Sequence, residues 1–199
     1  DHPMNTFLER SSGFIPGDSW DQHGPMNQIF RAPETVAFVA ACLEISELHC
    51  YADPLAGLTS NILDPGQLFT WHFDTNDFAV TVLVQQADSG GLFEYAPQIR
   101  SADNEGFERI SKILGGSRDE VTTLDLRPGD LQIFQGRHSL HQVSRVSTES
   151  CSRHSAIYAY TEEPGVIGRV ERTTQLFGRV CPEHLEAERA RVRSDKLVD

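Results

Sequence analysis

The stretch "TWHFDTNDF", residues 70–78, sets His72 and Asp74 two positions apart among aromatic and β-branched residues of strand character. In a strand, positions i and i+2 point to one side. The imidazole and the carboxylate would then project together while Trp71 and Phe73 pack on the other side. Burying an imidazole and a carboxylate without partners costs several kcal/mol, so the pair must be satisfied by each other, by neighbours or by a metal. With 8 histidines and 29 acidic residues in 199, chance alone supplies roughly one H-x-[D/E] triplet, and the sequence holds two. The second, His184-Leu185-Glu186, lies in a charged C-terminal stretch of helical character. There i and i+2 do not share a face, and the triplet reads as solvated helix surface.

A third ligand has a candidate in "GDLQIFQGRHSLHQVSRV", residues 129–146. Gly136 breaks one strand and His141 starts the next, placed to return beside the first pair. Two histidines and one carboxylate on one side of an iron, with three positions open, make the facial triad of non-heme Fe(II) oxygenases. Dioxygen needs one open position and a chelating 2-oxo acid needs two, so a fourth protein ligand would block the chemistry. His138 competes for the third place, but its position beside Arg137 in the loop favours His141. A purely structural His–Asp hydrogen bond stays open as the plainer alternative. His2, His23, His49 and His154 read as core or surface histidines.

Twelve residues beyond His141 stands Arg153, at the entrance of "HSAIYAY". A 2-oxo acid chelated through its keto and C1 carboxylate oxygens leaves its far carboxylate free, and a fixed guanidinium fork is a natural bidentate partner for it. Arg137 and Arg145 are the reserves. The plainer reading of Arg153 is an exposed arginine in a polar turn near Glu149.

The elements that must position these groups follow from pattern. With 39% apolar residues, 199 positions are enough for one sizeable core and short for two. One domain is expected. "PETVAFVAACLEI" from Pro33 has helical period, as does "NEGFERISKILGG". Between and after them run short strand-like segments split by turn residues: "ELHCYAD", "LTSNIL", "LFTWHFD", "FAVTVLVQQ", "GLFEYAP", "VTTLDL", "DLQIFQG", "SLHQVSRV" and "SAIYAYTE". Eight or nine short strands with outlying helices predict a mainly β fold with flanking helices, a double-sheet jelly roll or a barrel whose mouth can hold a ligand. Residues 1–32 read as covering loops, 33–180 as the core and 181–199 as a charged helix.

The net charge of −12 removes nucleic acid and anionic membranes from the expected partners. No apolar run approaches the roughly 20 residues of a membrane span. The first residues, "DHPMNTFLER", lack the basic and apolar regions of a secretory signal, which predicts a cytoplasmic protein. Cys42, Cys50, Cys151 and Cys181 show no metal or redox spacing and read as reduced thiols.

Six blocks together, "LHCYADPLAGLTSNI", "WHFDTNDFAVTVLVQQ", "GGLFEYAPQIRS", "LRPGDLQIFQGRHSLHQVSRV", "SAIYAYTEEPGV" and "LFGR", resemble the iron(II)/2-oxoglutarate oxygenases that act on free amino acids, the group of the lysine radical halogenases and related hydroxylases. The resemblance runs from Glu47 to Arg179. It implies a double-stranded β-helix of cupin-like type, with Fe(II), 2-oxoglutarate and O2 as cofactor and co-substrates. By position it implies His72, Asp74 and His141 as iron ligands and Arg153 as the 2-oxoglutarate anchor. The halogenases have Gly where this chain has Asp74, which leaves them a coordination site for chloride. A carboxylate there implies oxygen-centred chemistry instead.

The implied reaction is oxidative decarboxylation of 2-oxoglutarate to succinate and CO2, coupled to hydrogen abstraction from an unactivated C–H of a small molecule, expected to be a free amino acid. Hydroxylation is the expected outcome, with desaturation or aziridine-type ring closure of an aliphatic amino acid as the alternative. Phe69, three before His72, and Thr75, after the carboxylate, do not suit a basic substrate. The candidate substrate contacts are Asn61, Asp53, Phe69, Thr75, Glu94 and Tyr158. A cupin-like module that binds a metal and a small acid without turnover is the rival of another class; an open triad joined to Arg153 is more than such a module needs.

Overall fold

A computed structural model describes residues 2–5 and 8–190. Among the described residues the chain forms ten strands: β1 (Gly13–Ile15), β2 (His49–Cys50), β3 (Leu58–Leu63), β4 (Phe69–His72), β5 (Phe78–Gln85), β6 (Phe93–Ala96), β7 (Thr122–Leu124), β8 (Leu131–Phe134), β9 (Leu140–Val143) and β10 (Arg153–Thr161). Five α-helices accompany them: α1 (Pro25–Arg31), α2 (Pro33–Leu43), α3 (Phe107–Leu114), α4 (Val170–Phe177) and α5 (Pro182–Ala190).

Every strand pairing is antiparallel. One sheet has the order β1-β3-β10-β5-β8 with β2 on the end of β10, and the other has the order β4-β9-β6-β7. Central β10 is covered on both edges by β3 and β5 and is buried along nearly its whole length. β4 is an edge strand of the small sheet, which matters below.

Three apolar clusters fix this arrangement. Outside the large sheet, Leu58, Phe78, Val80, Tyr158 and Tyr160 pack with Phe30 of α1 and Val39 of α2. Outside the small sheet, Trp71, Phe73 and Leu140 pack on Ile110 and Ile113 of α3, a pair three apart on one helix face. Between the sheets, Leu63, Phe69, Ala87, Phe93, Val143 and Val146 close one end of the sandwich. Trp71 and Phe73 do face away from His72, as the strand alternation requires.

Three elements, β1, α1 and α4, fall outside the expected pattern. The stretch expected as covering loops holds β1, which pairs with β3, and α1, whose Phe30 is fully buried. Helix α4 was not read from "VERTTQLF", whose two adjacent threonines depress helix propensity. The charged helix is present as α5, and its continuation past residue 190 lies outside the described residues. Among the described residues no helix is long and apolar enough to cross a membrane.

Candidate active site

His72 is the last residue of β4, and Asp74 lies just beyond, where the chain leaves the sheet. The strand is therefore shorter than its pattern suggested. Asp74 is held instead by its own N–H, which donates to the Gly136 carbonyl at 3.1 Å. His141 stands on β9 directly opposite His72 in the register. The Oδ1 atom of Asp74 is 3.8 Å from His72 Nε2 and 3.5 Å from His141 Nε2. Among the described residues these three form the one group of His, Cys, Asp or Glu side chains able to hold a metal ion, their ligand atoms within 4.8 Å of one another.

Each ring has its other nitrogen occupied. His72 Nδ1 lies 2.7 Å from the Thr70 carbonyl and His141 Nδ1 lies 2.8 Å from the Ser139 carbonyl. A carbonyl can only accept, so both Nδ1 atoms carry a proton, which leaves the two Nε2 atoms to face Asp74. Burial, then the neighbouring His141, holds the His72 imidazole well below its usual titration range, keeping it in the neutral, ligating form. Two neutral imidazole nitrogens and one carboxylate fit a non-heme Fe(II) ion. Their donor atoms lie within 4.8 Å of one another, close enough for the three residues to hold one ion.

The triad opens into a cavity between the sheets. β10 supplies Arg153, Ser155 and Ile157; β3 supplies Asn61; β5 supplies Ala79 and Thr81. β8 adds Phe134, and the small sheet faces them with Phe69, Phe93 and Val143. Arg153 is 5% exposed, and its Nη1 donates to Ser155 Oγ at 3.1 Å. Burial lowers its pKa to about 10, so it remains a cation at neutral pH and needs an anion. Asn61 pairs with Ser155 across the sheet, which places it on the Arg153 side of the cavity. The reserves fall elsewhere. Arg145 is on the surface, bonded to Glu9 and the Gly66 carbonyl. Arg137 is buried behind Asp74, with Nη1 on the Thr75 carbonyl at 3.5 Å.

Phe69 lines the same cavity as His72 although the two are three apart, a spacing that puts side chains on opposite faces of a regular strand. A register shift between Phe69 and His72 accounts for this. The bulge turns Phe69 inward to stack on His72, with centroids 3.8 Å apart and planes at 22°.

Four expected contacts and one histidine need correction. Asp53 Oδ1 accepts from the Leu55 and Ala56 N–H groups, and its Oδ2 accepts from Gly168 N–H and meets His184 Nε2 at 3.1 Å. With that inventory filled, Asp53 anchors the chain rather than a ligand. His184 is fully buried on it, not on a solvated helix face. Glu94 pairs with Gln142 on the outer face of the small sheet and is bound by Arg118 and by Gln142 Nε2 at 2.6 Å. Tyr158 faces the outer cluster, stacked on Phe30, with its hydroxyl on Met26 Sδ. Thr75 bonds the Tyr51 hydroxyl at 3.2 Å and lies outside the cavity lining. His138 lines a separate surface groove with Arg100 and Arg109.

Sequence reasoning missed Ser155 and the Phe93–Phe134 wall. Ser155 was available from alternation: once Arg153 is taken as inward-facing, Ser155 and Ile157 share its face and Tyr158 cannot.

The chain is similar to solved structures of the same fold. Over 69% of its length it aligns with a 2OG-Fe(II) oxygenase family oxidoreductase from Burkholderia pseudomallei, at 16% identity and TM-score 0.49, covering 55% of that protein. It aligns with AviO1 from Streptomyces viridochromogenes over 77% of its length and 67% of that chain, at 13% identity and TM-score 0.54. It aligns with SnoK, a non-heme alpha-ketoglutarate-dependent carbocyclase from nogalamycin biosynthesis, over 76% and 65%, at 12% identity and TM-score 0.52. The chain thus spans little more than half of the first of these proteins and about two thirds of the other two. No curated protein matches its sequence. The family model described as halogenase D matches residues 12–170, most of the chain and all three candidate ligands. The chain therefore belongs to the halogenase D family.

Proposed function

We propose that the protein is an Fe(II)- and 2-oxoglutarate-dependent oxygenase that oxidises an unactivated C–H of a small molecule, a free amino acid in the first instance, by hydroxylation. One observation carries the reading. Two Nε2 lone pairs and a carboxylate converge at one end of a cavity whose lining also holds a buried, cationic Arg153.

His72, Asp74 and His141 are the residues that would hold the iron, and Arg153 with Ser155 is the pair that would take the far carboxylate of 2-oxoglutarate. When bound, iron and 2-oxoglutarate supply the oxidative decarboxylation that turns dioxygen into an oxidant for a C–H bond. The protein orients these parts. The Thr70 and Ser139 carbonyls fix the two imidazoles, Gly136 fixes Asp74, and Phe69, Phe93 and Phe134 keep water from the interior. Asp74 speaks against halogenation, since a protein carboxylate takes the place that a halide would need. We further propose that the chain acts as a single cytoplasmic oxygenase domain.

The test is anaerobic loading with Fe(II) and 2-oxoglutarate, then admission of oxygen with each proteinogenic amino acid in turn, reading succinate and product mass. Succinate coupled to a product that gains one oxygen atom is expected. A product that loses two hydrogens instead would assign desaturation or ring closure, and no iron-dependent succinate with any candidate would overturn the oxygenase reading.

A further inference from the structure

The three candidate ligands are fixed in different ways. Each histidine is held by a carbonyl two positions before it in its own segment, Thr70 for His72 and Ser139 for His141. Asp74 is held from farther away. It stands past the end of β4, beyond the His72–His141 pair that closes the ladder with β9. There the Arg100 guanidinium lies 3.7 Å from the Phe73 ring centroid, and the Gly136 carbonyl accepts the Asp74 N–H. Asn76 Nδ2 donates to the Phe78 carbonyl at 2.6 Å. Thr75 is gripped twice: its carbonyl accepts from Arg137 Nη1 at 3.5 Å, and its hydroxyl bonds the Tyr51 hydroxyl at 3.2 Å.

Tyr51 is the informative member. It is 2% exposed and directly follows β2, and its N–H donates to the Ala159 carbonyl at 2.9 Å, so its ring is mounted on central strand β10. Its hydroxyl is packed close to the bare Cα of Gly168, where an added Cβ would lie 3.1 Å from it. An aromatic arm with two rotatable bonds, buried and anchored at its base, loses little freedom in delivering one hydroxyl to the residue after Asp74.

What it delivers bears on how Asp74 faces the metal position. Oδ1 is the oxygen nearer both Nε2 atoms, at 3.8 and 3.5 Å, and Oδ2 lies toward Gly136. A carboxylate that presents one oxygen leaves three positions of a six-coordinate iron open. Turned to present both, it would take one of the positions that dioxygen and a chelating 2-oxo acid need.

We propose that Tyr51 is a positioning residue for Asp74: through the Thr75 hydroxyl it holds the carboxylate with one oxygen toward the metal. The proposal rests on the oxygenase reading and adds a residue to it.

The test uses close-shaped variants of the whole chain, titrated anaerobically with Fe(II) and then 2-oxoglutarate. Tyr51→Phe and Thr75→Val each break the hydroxyl pair, and Thr75→Ser keeps it. Tyr160→Phe is the control: it removes another buried tyrosine hydroxyl, bonded to the Phe30 carbonyl at 3.0 Å on the outer face of the large sheet. Tyr51→Phe and Thr75→Val should each weaken Fe(II) binding at least about tenfold and shift the visible absorption of the Fe(II)–2-oxoglutarate complex. The double variant should do no more than either alone, because both break one contact. Thr75→Ser should match the wild type, and Tyr160→Phe should unfold at lower denaturant with both iron readouts unchanged. Wild-type iron affinity and absorption in Tyr51→Phe and Thr75→Val, or an equal loss in Tyr160→Phe, would overturn the proposal. If the wild type itself forms no such absorption, the oxygenase reading falls and this inference with it. If the wild type forms it and the two hydroxyl variants match it, only this inference falls.

Discussion

Asp74 lies against the bare Cα of Gly136. A Cβ added there would press into the carboxylate, 2.6 Å from Cγ and 2.9 Å from Cβ of Asp74, while the same glycine's carbonyl accepts the Asp74 N–H at 3.1 Å. The β8–β9 loop therefore sets the position of a candidate ligand that belongs to another strand's end. Gly136→Ala should leave the sheets folded yet displace the carboxylate and weaken Fe(II) binding by about 10–100-fold. Circular dichroism and a metal titration on the same sample check both halves. Unchanged iron affinity would show that Asp74 is not held by this contact.

The three candidate ligands should behave alike, and the third histidine of the region, His138, should not. His72→Ala, Asp74→Ala and His141→Ala are each expected to abolish Fe(II)-dependent succinate formation, because each removes one donor of three. His138→Ala should retain it, since His138 lines a groove apart from the triad. Loss of iron in His138→Ala with iron kept in His141→Ala would reverse the assignment.

Arg153→Leu should raise the 2-oxoglutarate requirement by orders of magnitude without loss of iron, because stranding a buried carboxylate partner costs about 2–5 kcal/mol. Gly91 offers a milder probe. Its φ is +63°, and an added Cβ would sit 3.1 Å from Arg153 Cδ and 3.1 Å from Val146 Cγ2. Gly91→Ala should therefore combine a loss of stability with a smaller rise in the same requirement, read by titration of 2-oxoglutarate against succinate yield.

Much of the fold and of the candidate metal site was legible because both rest on local pattern. The alternating residues of "FAVTVLVQQ" and "LTSNIL" form β5 and β3 almost to the residue, and the His72–Asp74 spacing needed only a strand edge to become a chelate. The substrate contacts were not legible, for two physical reasons. Glu94 and Tyr158 were assigned without regard to alternation, although their register partners Gln142, Leu58 and Val80 put them on outer faces. Asp53 is taken up by the Gly168 N–H from 115 positions away, a juxtaposition that only the packing of the fold creates. Asp53 and His184 were separated by the same kind of distance, and neither shows in sequence that it completes the other's hydrogen bonds.

That pair makes its own prediction. His184 Nδ1 accepts from the Cys181 N–H at 3.0 Å, so Nε2 carries the proton and donates to Asp53 Oδ2, with both side chains fully out of water. Replacing His184 with Leu removes a buried hydrogen bond to a charged acceptor and should cost about 1.5–3 kcal/mol of stability, seen in denaturant unfolding. Because Asp53 also receives the Leu55, Ala56 and Gly168 N–H groups away from the triad, iron and 2-oxoglutarate binding by the folded variant should stay unchanged, and unfolding at the wild-type denaturant concentration would show that the pair carries no stability.

The last prediction concerns Asp74, the residue on which the proposed absence of halogenation rests. With Asp74 in place, the wild-type protein should yield no chlorinated product at any chloride concentration, because the carboxylate occupies the place a halide would take. Asp74→Gly should lose iron affinity and most oxygenation. It should gain at best a trace of chlorination, since Gly136 and the Asp74 backbone are packed for a carboxylate, and the cavity's one cation, Arg153, is the group proposed to take 2-oxoglutarate. Mass spectrometry of products from both proteins, with and without chloride, decides it. Chlorination by the wild type, or full oxygenation by Asp74→Gly, would show that Asp74 is not a ligand and that the end of β4 keeps its aspartate for structure alone.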